Sequence, residues 1–153
     1  MSDELRGQVA IITGGGRGIG RAIARAFAAA GASVAITARS EDQLAETVSL
    51  IEQQGGRAFA HAADVTDRFA AELFVAETER LLGKVDLLVN NAGVAGPIGP
   101  LWENEPDERR RSFGVNVEGP FLYARAVLPG MVARGRGHVI NSPAASRCAG
   151  TPT

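Results

Sequence analysis

The residues best suited to chemistry lie in Thr13-Gly14-Gly15-Gly16-Arg17-Gly18-Ile19-Gly20, after the apolar run Val9-Ala10-Ile11-Ile12 and ahead of a stretch with helical spacing. A helix N-terminus leaves backbone N–H groups without intrahelical partners and carries partial positive charge, so a phosphate is stabilised there. Glycines at 14, 16, 18 and 20 remove the side chains that would hold a pyrophosphate away. Tight turns also use glycine, so the loop gains meaning from strand, loop and helix occurring in that order. Two arginines strengthen the anionic case: Arg17 inside the loop, and Arg39 after Ala38 at the end of a second apolar run. A carboxylate at position 38 would accept hydrogen bonds from a ribose. Alanine followed by arginine instead suits a phosphate held by guanidinium groups. The plainer alternative is that Arg39 opens a solvated helix and Arg17 is a surface residue.

An alternation of strands and helices must position these groups. The sequence predicts strands at Gln8–Thr13, Ser33–Ala38, Arg57–Ala63, Val85–Asn90 and Gly137–Asn141. A helix behind the glycine loop places Ile19, Ala22, Ile23, Ala26, Phe27 and Ala30 at helical spacing and ends at Gly31. Ser40 with Gln43 resembles a capping box for a helix striped by Leu44, Val48 and Ile51, closed by Gly55-Gly56. A helix over Asp67–Leu82 is expected to turn Phe69, Leu73 and Ala76 inward. A long helix from about Asp107 to Ala133 is expected to bend at Pro120 and Pro129. Strands separated by helices imply crossovers and a parallel sheet, an α/β fold.

Bulk properties narrow the function. The length of 153 residues suits one domain. A net charge of −1 gives no electrostatic case for nucleic acid or anionic lipid. No apolar run approaches the ~20 residues of a membrane span. Cys148 is the sole cysteine, which leaves no disulfide framework and no thiolate metal site. The start, Met-Ser-Asp-Glu-Leu-Arg, is unlike a signal or transit peptide. The expected location is a reducing cytoplasm.

Thr13-Gly14-x-x-x-Gly18-x-Gly20, taken with Asn90-Asn91-Ala92-Gly93, resembles the classical short-chain dehydrogenase/reductase family, and the resemblance extends to Asn141. It implies a Rossmann-like doubly wound parallel sheet, here a single NAD(P)-binding domain over 1–153 that is truncated after about five strands. The implied activity is hydride transfer between nicotinamide and a carbonyl or alcohol. The implied cofactor contacts are Gly14, Arg17, Gly18, Ile19, Gly20 and Arg39, with Asp64 and Val65 at the adenine and Asn91, Ala92 and Gly93 on the nicotinamide-ribose side. The pairing of Arg17 with Arg39 favours NADP(H) over NAD(H). Asn116 matches the family's helix asparagine that holds a water in the proton relay. Each allows a plainer role: Asp64 capping a turn, Asn91 satisfying a loop, Asn116 bonding a neighbouring carbonyl.

The family's proton transfer uses a Tyr-x-x-x-Lys pair, because a tyrosine of free pKa about 10 needs a nearby ammonium to act at neutral pH. The sequence holds one tyrosine, Tyr123, and one lysine, Lys84, with Val127 where that lysine would fall. The tyrosine is better read as a packed or surface helix residue.

 A serine that orients the substrate oxygen is expected near the end of the fifth strand. Without a gap that position is Ala144, and of the flanking serines, Ser142 and Ser146, Ser142 is the candidate catalytic residue. The chain as given is therefore expected to be inactive. The alternatives are a non-catalytic dinucleotide-binding module or a truncated product without function.

The last twelve residues, Ser142–Thr153, contain only Ser, Pro, Ala, Arg, Cys, Gly and Thr, as a GC-rich coding sequence gives when read out of frame. A one-base shift after Asn141 would explain them, and the neighbouring frame should then restore Ser-Ser and Tyr-x-x-x-Lys; plain truncation or a partial gene model is the alternative. The expected partners are a dinucleotide and, in an intact relative, a small carbonyl or alcohol, with no metal, nucleic acid or membrane. The family is usually homo-oligomeric, but the missing part would hold some of the subunit interface. An exposed fifth strand would make the isolated chain marginal or insoluble.

Overall fold

Consecutive apolar residues, rather than alternating ones, suit strands covered on both faces. That is the pattern of β1 (Val9–Thr13), in which every residue is buried, and of β4 (Leu87–Asn90). The computed structural model describes residues 3–142. Of the tail read as out of frame, Ser142 is described, whereas Ala144, Ser146 and the rest lie outside the described residues. Five parallel strands form one sheet in the order β3-β2-β1-β4-β5, with β2 at Ser33–Ala38, β3 at Arg57–Ala62 and β5 at His138–Asn141. This is the expected α/β Rossmann-like arrangement.

The two faces of β1 feed separate cores. Ala10 and Ile12 pack with Val34, Ile36 and Val89 under α1 (Gly18–Ala29) and α2 (Glu41–Glu52). Ile11 packs with Ala35 and Leu88 under α3 (Arg68–Leu81) and α5 (Gly119–Arg134). The hydroxyl of Ser40 accepts from the Gln43 backbone N–H at 3.4 Å, giving α2 its predicted cap.

Three expectations are corrected. On α3, Phe69 and Leu73 are exposed (77% and 54%), as is Ala76, and the inward face is Ala71, Phe74, Val75 and Thr78. Both sets have helical spacing, but Phe74 stacks on Phe59 of β3 and meets Tyr123 edge-on, which decides the face. On α1, Ile19 is exposed while Gly20 and Ala24 are buried, with Ile23 and Phe27 packed beside them. The long helix does not simply bend at its prolines. It comprises α4 (Pro106–Phe113), a π-helical turn at Gly114–Glu118, and α5, which runs on through Pro129. The wide turn directly precedes Pro120, whose missing N–H and ring disfavour an ordinary α turn.

Candidate functional site

The carboxyl ends of β1 to β4 open into a cleft of about 820 Å³. It lies where the strand order reverses beside β1, the place at which open α/β sheets hold ligands. Its floor is the glycine loop. The N–H groups of Gly14 and Gly15 donate to the Thr37 carbonyl at 2.7 and 3.2 Å, anchoring the loop to β2. The Thr13 hydroxyl accepts from the N–H groups of Asn91 and Ala92 at 3.1 and 3.0 Å. Asn91 Nδ2 returns a bond to the Thr13 carbonyl at 3.1 Å, so the loops after β1 and β4 are stitched together. Gly20 makes that closeness feasible: a Cβ there would come within 2.1 Å of the Gly14 oxygen.

α1 begins without a side-chain cap and without an acid in its first turn. Gly18, Ile19 and Gly20 all line the cleft, and the open N–H groups at this end supply the donors and the partial charge that a pyrophosphate needs. Arg21, also in the first turn, is held by the loop and by α2. Its NH2 donates to the Gly16 carbonyl at 2.6 Å and to Glu46 at 2.7 Å, and its Nε donates to the Thr47 hydroxyl at 3.0 Å. Thr47 donates to the same Gly16 carbonyl at 3.2 Å. The loop is thereby tied to α2 as well as to the sheet.

Arg17 and Arg39 are exposed at the rim, where Ala38, Ser40 and Gln43 also line the cleft, and neither forms an ion pair among the described residues. Asp64 Oδ1 accepts from the Thr66 N–H at 2.9 Å and from its hydroxyl at 2.8 Å. These bonds, and then the charges of Arg39 and Arg111, hold its carboxyl below the usual range and keep it ionised. Val65, Ala92 and Gly93 complete the set of cofactor residues expected from the sequence, all of which border this one cleft.

A smaller hollow of about 280 Å³ adjoins at Ala92 and is lined by Asn90, Asn116, Asn141 and Ser142. The Asn116 side chain is fully engaged with the loop after β4: Oδ1 accepts from the Val94 N–H and Nδ2 donates to the Val94 carbonyl, both at 2.9 Å. Asn90 Nδ2 donates to Asn141 Oδ1 at 2.9 Å across the β4–β5 pair. Tyr123 belongs to neither space. It is wholly buried, and burial pushes its hydroxyl up to about 12, with the Thr37 hydroxyl opposing the shift. Lys84 pairs with Glu79 at 2.7 Å on the surface.

Sequence reading passed over Thr13 as a ligand of the β4 loop, and over Arg21, Thr66 and Arg111. Arg21 left a signal, since a cation in a first helical turn opposes the dipole and calls for another partner.

A family model described as short chain dehydrogenase matches residues 8–149. A short chain dehydrogenase of Pseudocercospora fijiensis is 47% identical over 141 residues, covering 90% of this chain and 45% of that protein. An uncharacterized oxidoreductase of Thermotoga maritima is 39% identical over 147 residues, covering 96% of this chain and 57% of that protein. The chain thus spans about half the length of the curated relatives it matches. A crystal structure of a metagenomic short-chain oxidoreductase in complex with NADP superposes with a TM-score of 0.86 at 43% identity, over 90% of this chain and 62% of that one.

Proposed function

The chain belongs to the short chain dehydrogenase family, and from that membership we propose that residues 1–153 form the cofactor-binding part of an NADP(H)-dependent oxidoreductase acting on a carbonyl or alcohol. The observation that carries this reading is the uncapped start of α1, opening into a cleft whose rim holds two arginines that form no ion pair among the described residues. Gly18, Ile19 and Gly20 would hold the pyrophosphate through backbone N–H groups, with Gly14 leaving room beside them. Arg17 and Arg39 would hold a 2′-phosphate, and Ala38 leaves no carboxylate to repel it. Asp64 and Val65 would border the adenine. Asn91, Ala92 and Gly93 would border the ribose next to the nicotinamide, which when bound supplies or accepts the hydride. That a solved relative carries NADP supports a nicotinamide dinucleotide.

The smaller hollow would receive the substrate oxygen. Ser142 borders it, and Asn116 fixes the adjoining loop through Val94. Tyr123 is unsuited to proton transfer, being buried and hard to ionise, and Lys84 is engaged elsewhere. On this reading the 153 residues bind cofactor without turning over a carbonyl, and their place is the cytoplasm. Calorimetric titration with NADP+ and NAD+ tests it. NADP+ should bind more tightly, and Arg17→Ala or Arg39→Ala should each weaken NADP+ about tenfold, as expected for a charged hydrogen bond, while sparing NAD+. Equal affinities unaffected by either substitution would reject the choice of NADP(H). Binding of neither dinucleotide would reject the reading altogether.

A further inference from the structure

Residues 109–111 are three consecutive arginines near the end of α4, and each has a different fate. The Arg109 guanidinium lies over the Phe113 ring, 5.7 Å from its centroid. Arg110 pairs with Asp107. Arg111 lines the cleft and donates no hydrogen bond to a side chain or carbonyl among the described residues. Gly114 and Val115, three and four positions on and so on the same helical face, also line the cleft. That face comes close to the loop between β3 and α3, where a Cβ on Gly114 would meet Thr66 Cγ2 at 3.4 Å. Arg111 thus overlooks the end of the cleft bordered by Asp64 and Val65, away from the open start of α1.

We propose that Arg111 is a cofactor-contact residue whose guanidinium plane covers one face of the adenine, clamping the base from the α4 side. The proposal rests on the dinucleotide reading above and adds a wall that the glycine loop and the strand ends do not provide. A base, rather than a phosphate, fits this end. Val65, Gly114 and Val115 offer apolar or side-chain-free surface to a flat ring, whereas the phosphates have Arg17, Arg39 and the α1 N–H groups. A guanidinium is planar and weakly hydrated, so it lies flat on a π face, whereas an ammonium meets it only as a compact and strongly hydrated point charge. Asp64 forms no ion pair with Arg111 among the described residues, so its charge attracts the guanidinium to this end of the cleft without occupying its donors.

The test titrates the 153-residue chain, and its Arg111→Ala and Arg111→Lys forms, with 5′-AMP, 2′,5′-ADP and NADP+, after circular dichroism shows the fold intact. Arg111→Ala should weaken all three by a similar factor, about three- to tenfold, the range of a partly desolvated cation–π contact. Arg111→Lys should recover little, because charge is kept and planarity lost. Unchanged affinity in Arg111→Ala, full recovery in Arg111→Lys, or a loss confined to the 2′-phosphorylated ligands would each overturn the proposal while leaving dinucleotide binding in place. A wild-type chain that binds none of the three would instead overturn the reading on which the proposal rests.

Discussion

Gly18 and Gly20 lie two residues apart in the first turn of α1, yet alanine at each position should do damage of a different kind. At position 20, alanine gains about 1 kcal/mol of helix propensity over glycine. Its Cβ, however, would lie 2.1 Å from the Gly14 oxygen, 2.5 Å from Asn91 Nδ2 and 2.7 Å from the Gly14 carbonyl carbon. Two of these three are backbone atoms held against the sheet, so α1 must withdraw by roughly 1 Å or more to reach an ordinary contact near 3.5 Å. Such overpacking costs about 1–3 kcal/mol, and disturbing the bonds of Asn91 adds about 1 kcal/mol. The clash outweighs the propensity, for a net loss of about 2 kcal/mol and a fall in Tm of about 4–8 °C in a chain of this size. At position 18 the new Cβ meets nothing within 4 Å, and the cost is confined to the left-handed backbone at φ +55°, about 1 kcal/mol. That Cβ stands at the mouth of the proposed pyrophosphate site, so Gly18→Ala should keep most of its stability and lose NADP+ affinity at least tenfold. Urea denaturation and calorimetry on the two variants decide the matter. A Gly20→Ala protein as stable as wild type, or a Gly18→Ala protein that binds like wild type, would refute the reasoning.

Arg21→Ala should lower stability by about 1–2 kcal/mol in urea, because it leaves the half-buried Gly16 carbonyl with fewer donors, and Arg21→Lys should restore only part of this since it cannot reach Gly16 and Thr47 together. Tyr123→Phe removes a buried hydroxyl that has no well-formed hydrogen bond, so stability near pH 7 should change by less than about 1 kcal/mol and cofactor affinity not at all. The wild-type phenol ionises near 12 when folded and near 10 when unfolded, so stability should fall as pH rises through that window, and the Tyr123→Phe protein should lack this slope in alkaline melts. Asp64 has the opposite sign: its depressed folded value contributes stability above about pH 4 that is lost as pH falls further, and melts of Asp64→Asn should show a weaker acid dependence there.

Much of the fold was legible because strand and loop signals were local. Val9–Thr13 and Ser33–Ala38 announce buried strands by their short apolar runs Val9–Ile12 and Val34–Ile36, and Ser40 announces a helix start by its hydroxyl. The face of α3 was not legible, because Phe69-Leu73-Ala76 and Ala71-Phe74-Val75-Thr78 both satisfy helical spacing. Only the position of Phe59 and Tyr123 selects between them. In the candidate site, the glycines and Asn91 declared themselves by spacing. Arg21 and Arg111 did not, since the significance of Arg21 depends on partners that include Glu46 and Thr47, 25 and 26 residues away, and that of Arg111 on a helix wall. The plain roles weighed for Asp64, Asn91 and Asn116 are all present as hydrogen bonds to Thr66, Thr13 and Val94. Those bonds orient the groups around the cleft, so scaffold and site share residues.

The π-helical turn at Gly114–Glu118 acts as a phase shifter in an otherwise regular rod. A wide turn accommodates an additional residue, and each residue advances an α-helix by about 100°. Winding the same residues as ordinary α-helix, with none removed, would rotate everything downstream by that angle. Leu122, Tyr123, Val127 and Met131 would swing off the sheet, and Phe121 or Leu128 would be carried toward it. The wide turn therefore sets the phase of α5, and a single-codon deletion within it, which an ordinary α turn can absorb, should be less damaging than a single-codon deletion inside α5, which would rotate the buried face off the sheet.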